Sequence, residues 1–184
     1  MMYIRDDVVD EVLRGQQPIQ DAIRGKRFLL WPPGMGAYMV FNSCALVSCM
    51  GIAFALSRWM RSYEGSVLFL ATCAIVMGAH GVIGFQVLRG WPRARFRMYR
   101  FTAVLVILSG VATAASLALD VRHGAIAACI GLLASVGTRR IVAGTGYATF
   151  AGFYRVKRMV ELEMRQLVSS VRKQTFDAGE PDHF

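Results

Sequence analysis

No aspartate or glutamate falls within the four longest apolar stretches of this chain, residues 37–57, 65–88, 101–119 and 121–138. An ion path or proton relay through hydrocarbon usually depends on a buried carboxylate, so transport chemistry has little to work with here. Cysteine is sparse as well. Cys44, Cys49, Cys73 and Cys129 all lie inside the apolar stretches and none forms a Cys-x-x-Cys pair. That spacing excludes a zinc ribbon or a disulfide framework and leaves packing as the role of the thiols. Also missing are His-Glu-x-x-His, the phosphate-binding Gly-x-x-x-x-Gly-Lys and the nucleophile pattern Gly-x-Ser-x-Gly. Without them no catalytic, metal-binding or cofactor-binding residue is assigned, and an enzyme is not expected. The start of the chain carries Asp6, Asp7, Asp10 and Glu11 and no adjoining apolar stretch. It does not read as a secretory signal, so the first apolar stretch is expected in the mature protein.

What is abundant is apolar length. A bilayer core about 30 Å thick needs about 20 helical residues at a rise of about 1.5 Å each. Three of the stretches reach that length and the fourth nearly does, and the mean hydropathy of +0.42 is too high for an ordinary soluble domain. The fold expected is therefore an all-α integral membrane protein with four transmembrane helices. Amphipathic helices precede them and a cytoplasmic or interfacial helix follows. Four regions result: a membrane-surface segment over 1–36, the bundle over 37–138, a small-residue-rich extension with an amphipathic helix over 139–176, and a flexible tail over 177–184.

The net charge of +9 is unevenly placed. With both chain ends inside, thirteen of the Lys and Arg residues flanking the stretches fall on the inner side and three on the outer. The positive-inside rule then gives an N-in, C-in topology. Arg89, Arg93, Arg95, Arg97, Arg100, Arg139 and Arg140 are the expected topology and lipid-headgroup contacts. Aromatic residues interleave with the bases of 89–100, a pattern seen in nucleic-acid sites. Placed between two spans, it reads better as a lipid-facing loop, and no nucleic-acid partner is expected. Trp31, Tyr38, Trp59, Tyr63, Trp91 and Tyr99 fall at span ends, where half-wet aromatic rings are favoured.

Residues 141–154 contain neither acid nor base but are too short to span. They read as a helical continuation, an interfacial segment or a re-entrant turn. Beyond them Phe153, Val156, Val160, Met164, Leu167 and Val171 recur at steps of three or four, which predicts an amphipathic helix over about 153–174. Residues 4–13 and 19–30 carry a similar, shorter pattern, and Pro32-Pro33-Gly34 breaks the chain before the first span.

Small residues recur at the spacing that lets membrane helices approach. They are Ala71, Ala74, Gly78 and Gly81; Gly110 and Ala114; Ala127, Gly131 and Ser135; and Gly144, Ala148 and Gly152. These are the candidate helix-packing and oligomer-interface positions. Asn42, His80 and Ser109 are the candidate intramembrane polar group, with His80 expected to bond Ser109, Asn42 or a backbone carbonyl. The expected partners are the lipid bilayer and other membrane subunits, whether further copies of the chain or different proteins. The function expected is that of a structural or assembly subunit of a multi-protein inner-membrane complex, such as a bacterial secretion, conjugation or envelope machine. An immunity or inhibitor protein against a membrane-active toxin is the first alternative, and a small channel or transporter subunit the second.

Overall fold

A computed structural model describes residues 6–16, 21, 32–59 and 63–177. Among them are six helices: α1 (Asp6–Gly15), α2 (Met35–Ser57), α3 (Tyr63–Leu88), α4 (Ala94–Ala118), α5 (Arg122–Ala143) and α6 (Thr145–Asp177). Apart from residue 21, the expected second amphipathic segment over 19–30 lies outside the described residues, as do Trp31 and the tail beyond 177.

Helices α2 to α5 are long and apolar enough to cross a membrane. The first three are apolar around their whole circumference, which suits a rod that faces lipid on one side and neighbours on the other. The outward residues of α3, α4 and α5 are large and greasy: Leu70, Ile75, Val82, Ile107, Val111 and Leu133 are all well exposed. With no water in the bilayer core, such surface belongs against lipid or another protein. The chain is an all-α membrane protein.

Two of the expected boundaries move. The arginine-rich stretch 89–100 is mostly helix, because α4 starts at Ala94 and only residues 89–93 form the turn. The fourth span continues to Ala143, past Arg139 and Arg140. Those arginines do not stop a helix, since Arg139 lies over the Tyr99 ring at 4.3 Å and Arg140 is exposed.

The turns have local causes. After α3, Trp91 N–H bonds Gln86 O at 3.0 Å and Gly90 N–H bonds Val87 O at 2.9 Å. This is a Schellman closure, and it needs the left-handed φ of +63° that Gly90 adopts. Gly90 also lies directly against the backbone of Tyr154 and Arg155, where a Cβ would collide. The same closure ends α4, with Asp120 in the left-handed position and Val121 N–H on Ser116 O at 2.9 Å.

Helix α2 is the central member and touches α3, α4, α5 and α6. Its closest approach is to α5. A Cβ added at Gly51 would lie 2.6 Å from Ala127 O and 2.8 Å from Gly131 Cα. Only glycine permits that crossing, which brings the two backbones into direct van der Waals contact.

Helix α6 lies across one end of the bundle. Gly146 and Phe150 meet Gly34 at the start of α2, Tyr154 and Arg155 meet Gly90 after α3, and Arg158 reaches Arg89 O at 3.4 Å. From residue 146 to 158 the helix advances about 18 Å and never leaves the end of the bundle. A helix continuing along the bundle axis would have moved away. Helix α1 then packs on α6: Leu13 joins Phe153 and Val156 in one buried cluster, and Gly152 leaves room for Val9 and Leu13. Residues 141–154 are thus the last turn of α5, a break at Gly144 and the first turns of α6. Their uniform apolarity has a cause. Tyr147, Phe150 and Ala151 pack on the bundle, while Gly152 and Phe153 pack on α1.

Candidate functional site

The capped end holds most of the polar chemistry of the described residues. Arg95, expected at the headgroups, is instead fully buried. Its Nε and Nη2 donate to Val142 O at 3.2 and 3.1 Å, and Nη2 donates to Ala143 O at 3.3 Å. These are carbonyls of the last turn of α5, which have no intrahelical donor. The negative end of the helix dipole favours a cation there. Arg95 is placed inward because it sits on the first turn of α4 beside buried Ala94 and Met98, a position visible only once α4 is known to begin at Ala94.

Beside Arg95 lies an aromatic cluster. Tyr38 stacks on Phe150 with centroids 4.3 Å apart, and Phe41 meets Tyr147 edge-on at 5.0 Å and His80 at 5.1 Å. Such pairs add about 0.5–1.5 kcal/mol each beyond the area they bury. His80 Nε2 lies 2.8 Å from Asn42 Oδ1. A carbonyl oxygen can only accept, so Nε2 carries the proton. The Asn42 amide in turn donates to Tyr38 O at 2.9 Å. Asn42 thus accepts one bond and donates another in a polar contact between α2 and α3, while His80 Nδ1 is buried with no hydrogen-bond partner among the described residues. Tyr154, at the rim of the cluster, has its phenol pushed above the usual value by burial and, secondarily, by Tyr38. It stays neutral and available as a donor at physiological pH.

Ser109 does not join His80. It bonds Ser135 at 2.8 Å, and Ser135 also bonds Ser48 and Gly131 O. Three spans, α2, α4 and α5, thus meet at a fully buried hydroxyl cluster. Ser48 was not singled out from sequence, because an isolated serine in an apolar helix carries no periodic signal.

The small-residue faces divide. Gly131 and Ser135 face inward against α2, with Ala127 half-buried beside them. Ala148 and Gly152 are buried under the cap, and half-buried Gly144 marks the break between α5 and α6. Gly110 is half-buried and Ala114 exposed, with open space around the Gly110 Cα. On α3, Ala71, Ala74, Gly78 and Gly81 are all exposed, and nothing lies within 4 Å of a Cβ built at either glycine.

The remaining arginines ring the same end. Arg89, Arg93, Arg97, Arg100 and Arg140 are exposed, and Arg139 is half-buried with its Nη2 donating to the Tyr99 hydroxyl at 2.9 Å. Arg97 bonds Gln86 at 2.8 Å, and Arg100 covers the Phe96 ring at 4.4 Å.

One ion pair locks the cap. Arg155 Nη2 lies 2.9 Å from Asp10 Oδ1, with a further bond from Nε to Oδ2 at 3.0 Å. The two-point geometry holds a planar guanidinium against a carboxylate, and both side chains are at least four-fifths buried. Asp10→Asn keeps the shape but removes the charge. It is expected to weaken α1 docking by about 2 kcal/mol, so proteolysis near the N-terminus should speed up by about 30-fold while the bundle keeps its melting point. Limited proteolysis followed by mass spectrometry checks both halves of that expectation.

Among the described residues no group of three or more His, Cys, Asp or Glu side chains is placed to hold a metal ion. No family model, curated protein or solved structure matches the chain.

Proposed function

We propose that this chain is a structural subunit of a larger membrane assembly and docks its neighbours through the outward small-residue face of α3. One observation carries the reading. Only 17% of the apolar stretch of α3 is buried within the chain, against 44% for α2, and the exposed side includes Ala71, Ala74, Gly78 and Gly81. Helices associate in lipid through close backbone packing, and these small residues leave gaps between the larger outward side chains Leu70, Ile75 and Val82 into which a neighbouring helix can pack. The inward Gly51–Gly131 crossing illustrates how such a face is used when a partner is present.

The arginine-ringed end, which also bears α1 and α6, faces the cytoplasm in this reading, because excess Lys and Arg are retained on that side. Both chain ends are then cytoplasmic, and the membrane is the inner membrane of a bacterium. The partners are other membrane subunits or further copies of the chain.

Purification from native membranes in a gentle detergent should yield a stoichiometric complex. The paired substitution Gly78→Leu and Gly81→Leu should abolish that complex while the melting point of the isolated chain changes by no more than about 2 °C, since both sites face open space. A monodisperse monomer from native membranes, or a complex indifferent to the substitutions, would refute the proposal.

A further inference from the structure

Where α6 leaves the bundle it forms a cleft of about 470 Å³ against the end of α3 and the turn that follows. Pockets of about 300–1,000 Å³ hold small ligands. Four cations line this one, Arg89, Lys157, Arg158 and Arg165, with Glu161 as the one carboxylate. Among the described residues none of the four cations is held in an ion pair. Their placement is partly fixed: Arg158 donates to Arg89 O and lies over the Trp91 ring at 5.6 Å.

The other walls are of a different kind. Trp91 and Tyr154 present rings with one polar edge, the side chains favoured at the boundary between hydrocarbon and water. Leu88 and Leu162 complete the apolar lining. Leu88 is the last residue of a membrane-length helix, so the cleft sits at the depth of the lipid headgroups. Its apolar side leads onto exposed Phe85 and Val82 of α3, a track along which a hydrocarbon chain can run. On the other side α6 continues outward with Met164, Leu167, Val168 and Val171 exposed. A helix that lies across the bundle end and overhangs it passes over the neighbouring lipid surface.

From these features we infer that the cleft between α6 and the α3–α4 turn is a binding site for one anionic phospholipid. Its phosphodiester sits among Arg89, Lys157, Arg158 and Arg165, and one acyl chain lies along Leu88 and α3. A free phosphate offers the same charge but has no use for the leucines or for the hydrocarbon track. The hydrocarbon track shares the exposed side of α3 with Gly78 and Gly81, so the site is tested through its cationic wall, which the assembly reading does not use.

The test uses the full chain carrying Trp31→Phe and Trp59→Phe, so that Trp91 is the one fluorophore, in vesicles of phosphatidylcholine with increasing brominated phosphatidylglycerol. Trp91 quenching should reach half its maximum at a mole fraction well below that needed with brominated phosphatidylcholine. Lys157→Gln with Arg165→Gln, both exposed, should raise that mole fraction by about 30-fold, at about a factor of five per cation. The control pair Arg93→Gln with Arg100→Gln carries equal charge at the same end of the bundle but outside the cleft, and should shift it little. Equal curves for the two brominated lipids, or equal shifts in the two paired variants, would overturn the site. Release of quenching by millimolar inorganic phosphate would overturn the lipid as its occupant. Size exclusion of each variant in detergent verifies folding before the titration.

Discussion

Arg95→Leu should lower the melting point of the detergent-solubilised chain by about 10 °C or prevent its folding altogether. The side chain is fully buried, and its guanidinium satisfies the Val142 and Ala143 carbonyls. Leucine fills part of the volume but donates nothing. Each buried carbonyl left without a donor costs about 1–3 kcal/mol, and the favourable meeting of cation and helix C-terminus disappears as well. The sum is about 3 kcal/mol or more. Arg95→Lys separates the two contributions. A lysine retains the charge near the dipole but cannot reproduce the planar fork, so it should recover about half of the loss. Thermal unfolding followed by intrinsic fluorescence, with the three proteins side by side, gives the order native, Lys, Leu. A leucine variant as stable as the native chain would mean that the α5 carbonyls find other donors.

Gly51→Val should have an effect of similar size for the opposite reason. Here the problem is too much volume. Even the Cβ of an alanine would lie 2.6 Å from Ala127 O and 2.8 Å from Gly131 Cα, both backbone atoms that cannot swing aside. Helices α2 and α5 must separate, and the bond between Ser48 and Ser135, which joins them, is stretched as well. Overpacking costs about 1–3 kcal/mol per site, and valine, with two further methyl groups, belongs at or above the top of that range. Gly131→Ala should be milder, because its nearest contacts are at 3.2 to 3.5 Å. Gly36→Ala, with nothing within 4 Å, should be silent. A size-exclusion profile of each variant in detergent ranks them directly.

The spans are legible in the sequence because the bilayer sets a length that few other environments impose, and residues 37–57 and 65–88 come within two residues of α2 and α3 at every boundary. The turn at 89–100 misleads because arginine is both a topology signal and a good helix former. Charge density there reads as a loop, whereas Ala94, Arg95 and Met98 form the buried stripe of a first helical turn. Arg95 could not be told apart from its neighbours Arg93 and Arg97, because what distinguishes it is the carbonyl pair of α5, some 47 positions away. The cap is hidden for a related reason. Helix α6 buries one face on the bundle and a second on α1, so its early turns lose the amphipathic contrast that marks residues beyond 160. Asp10 and Arg155 look like two ordinary surface charges until the helices that carry them are brought together. At Ala71, Ala74, Gly78 and Gly81 the spacing is plain in the sequence, but whether they face in or out is a tertiary property.

The pairing of α1 with α6 also sets an order of events during synthesis. Asp10 and Arg155 stand 145 positions apart. At roughly 5–20 residues per second, Asp10 emerges from the ribosome about 7–30 s before its partner does. For that interval Val9 and Leu13 have no α6 to cover them, and the adjacent leaflet is the nearest apolar shelter. The four spans can be inserted and crossed at Gly51 and Gly131 while the lid over their arginine-rich end is still missing. Until Arg155 has emerged, the N-terminal helix has no ion-pair partner and no apolar face of α6 to dock on.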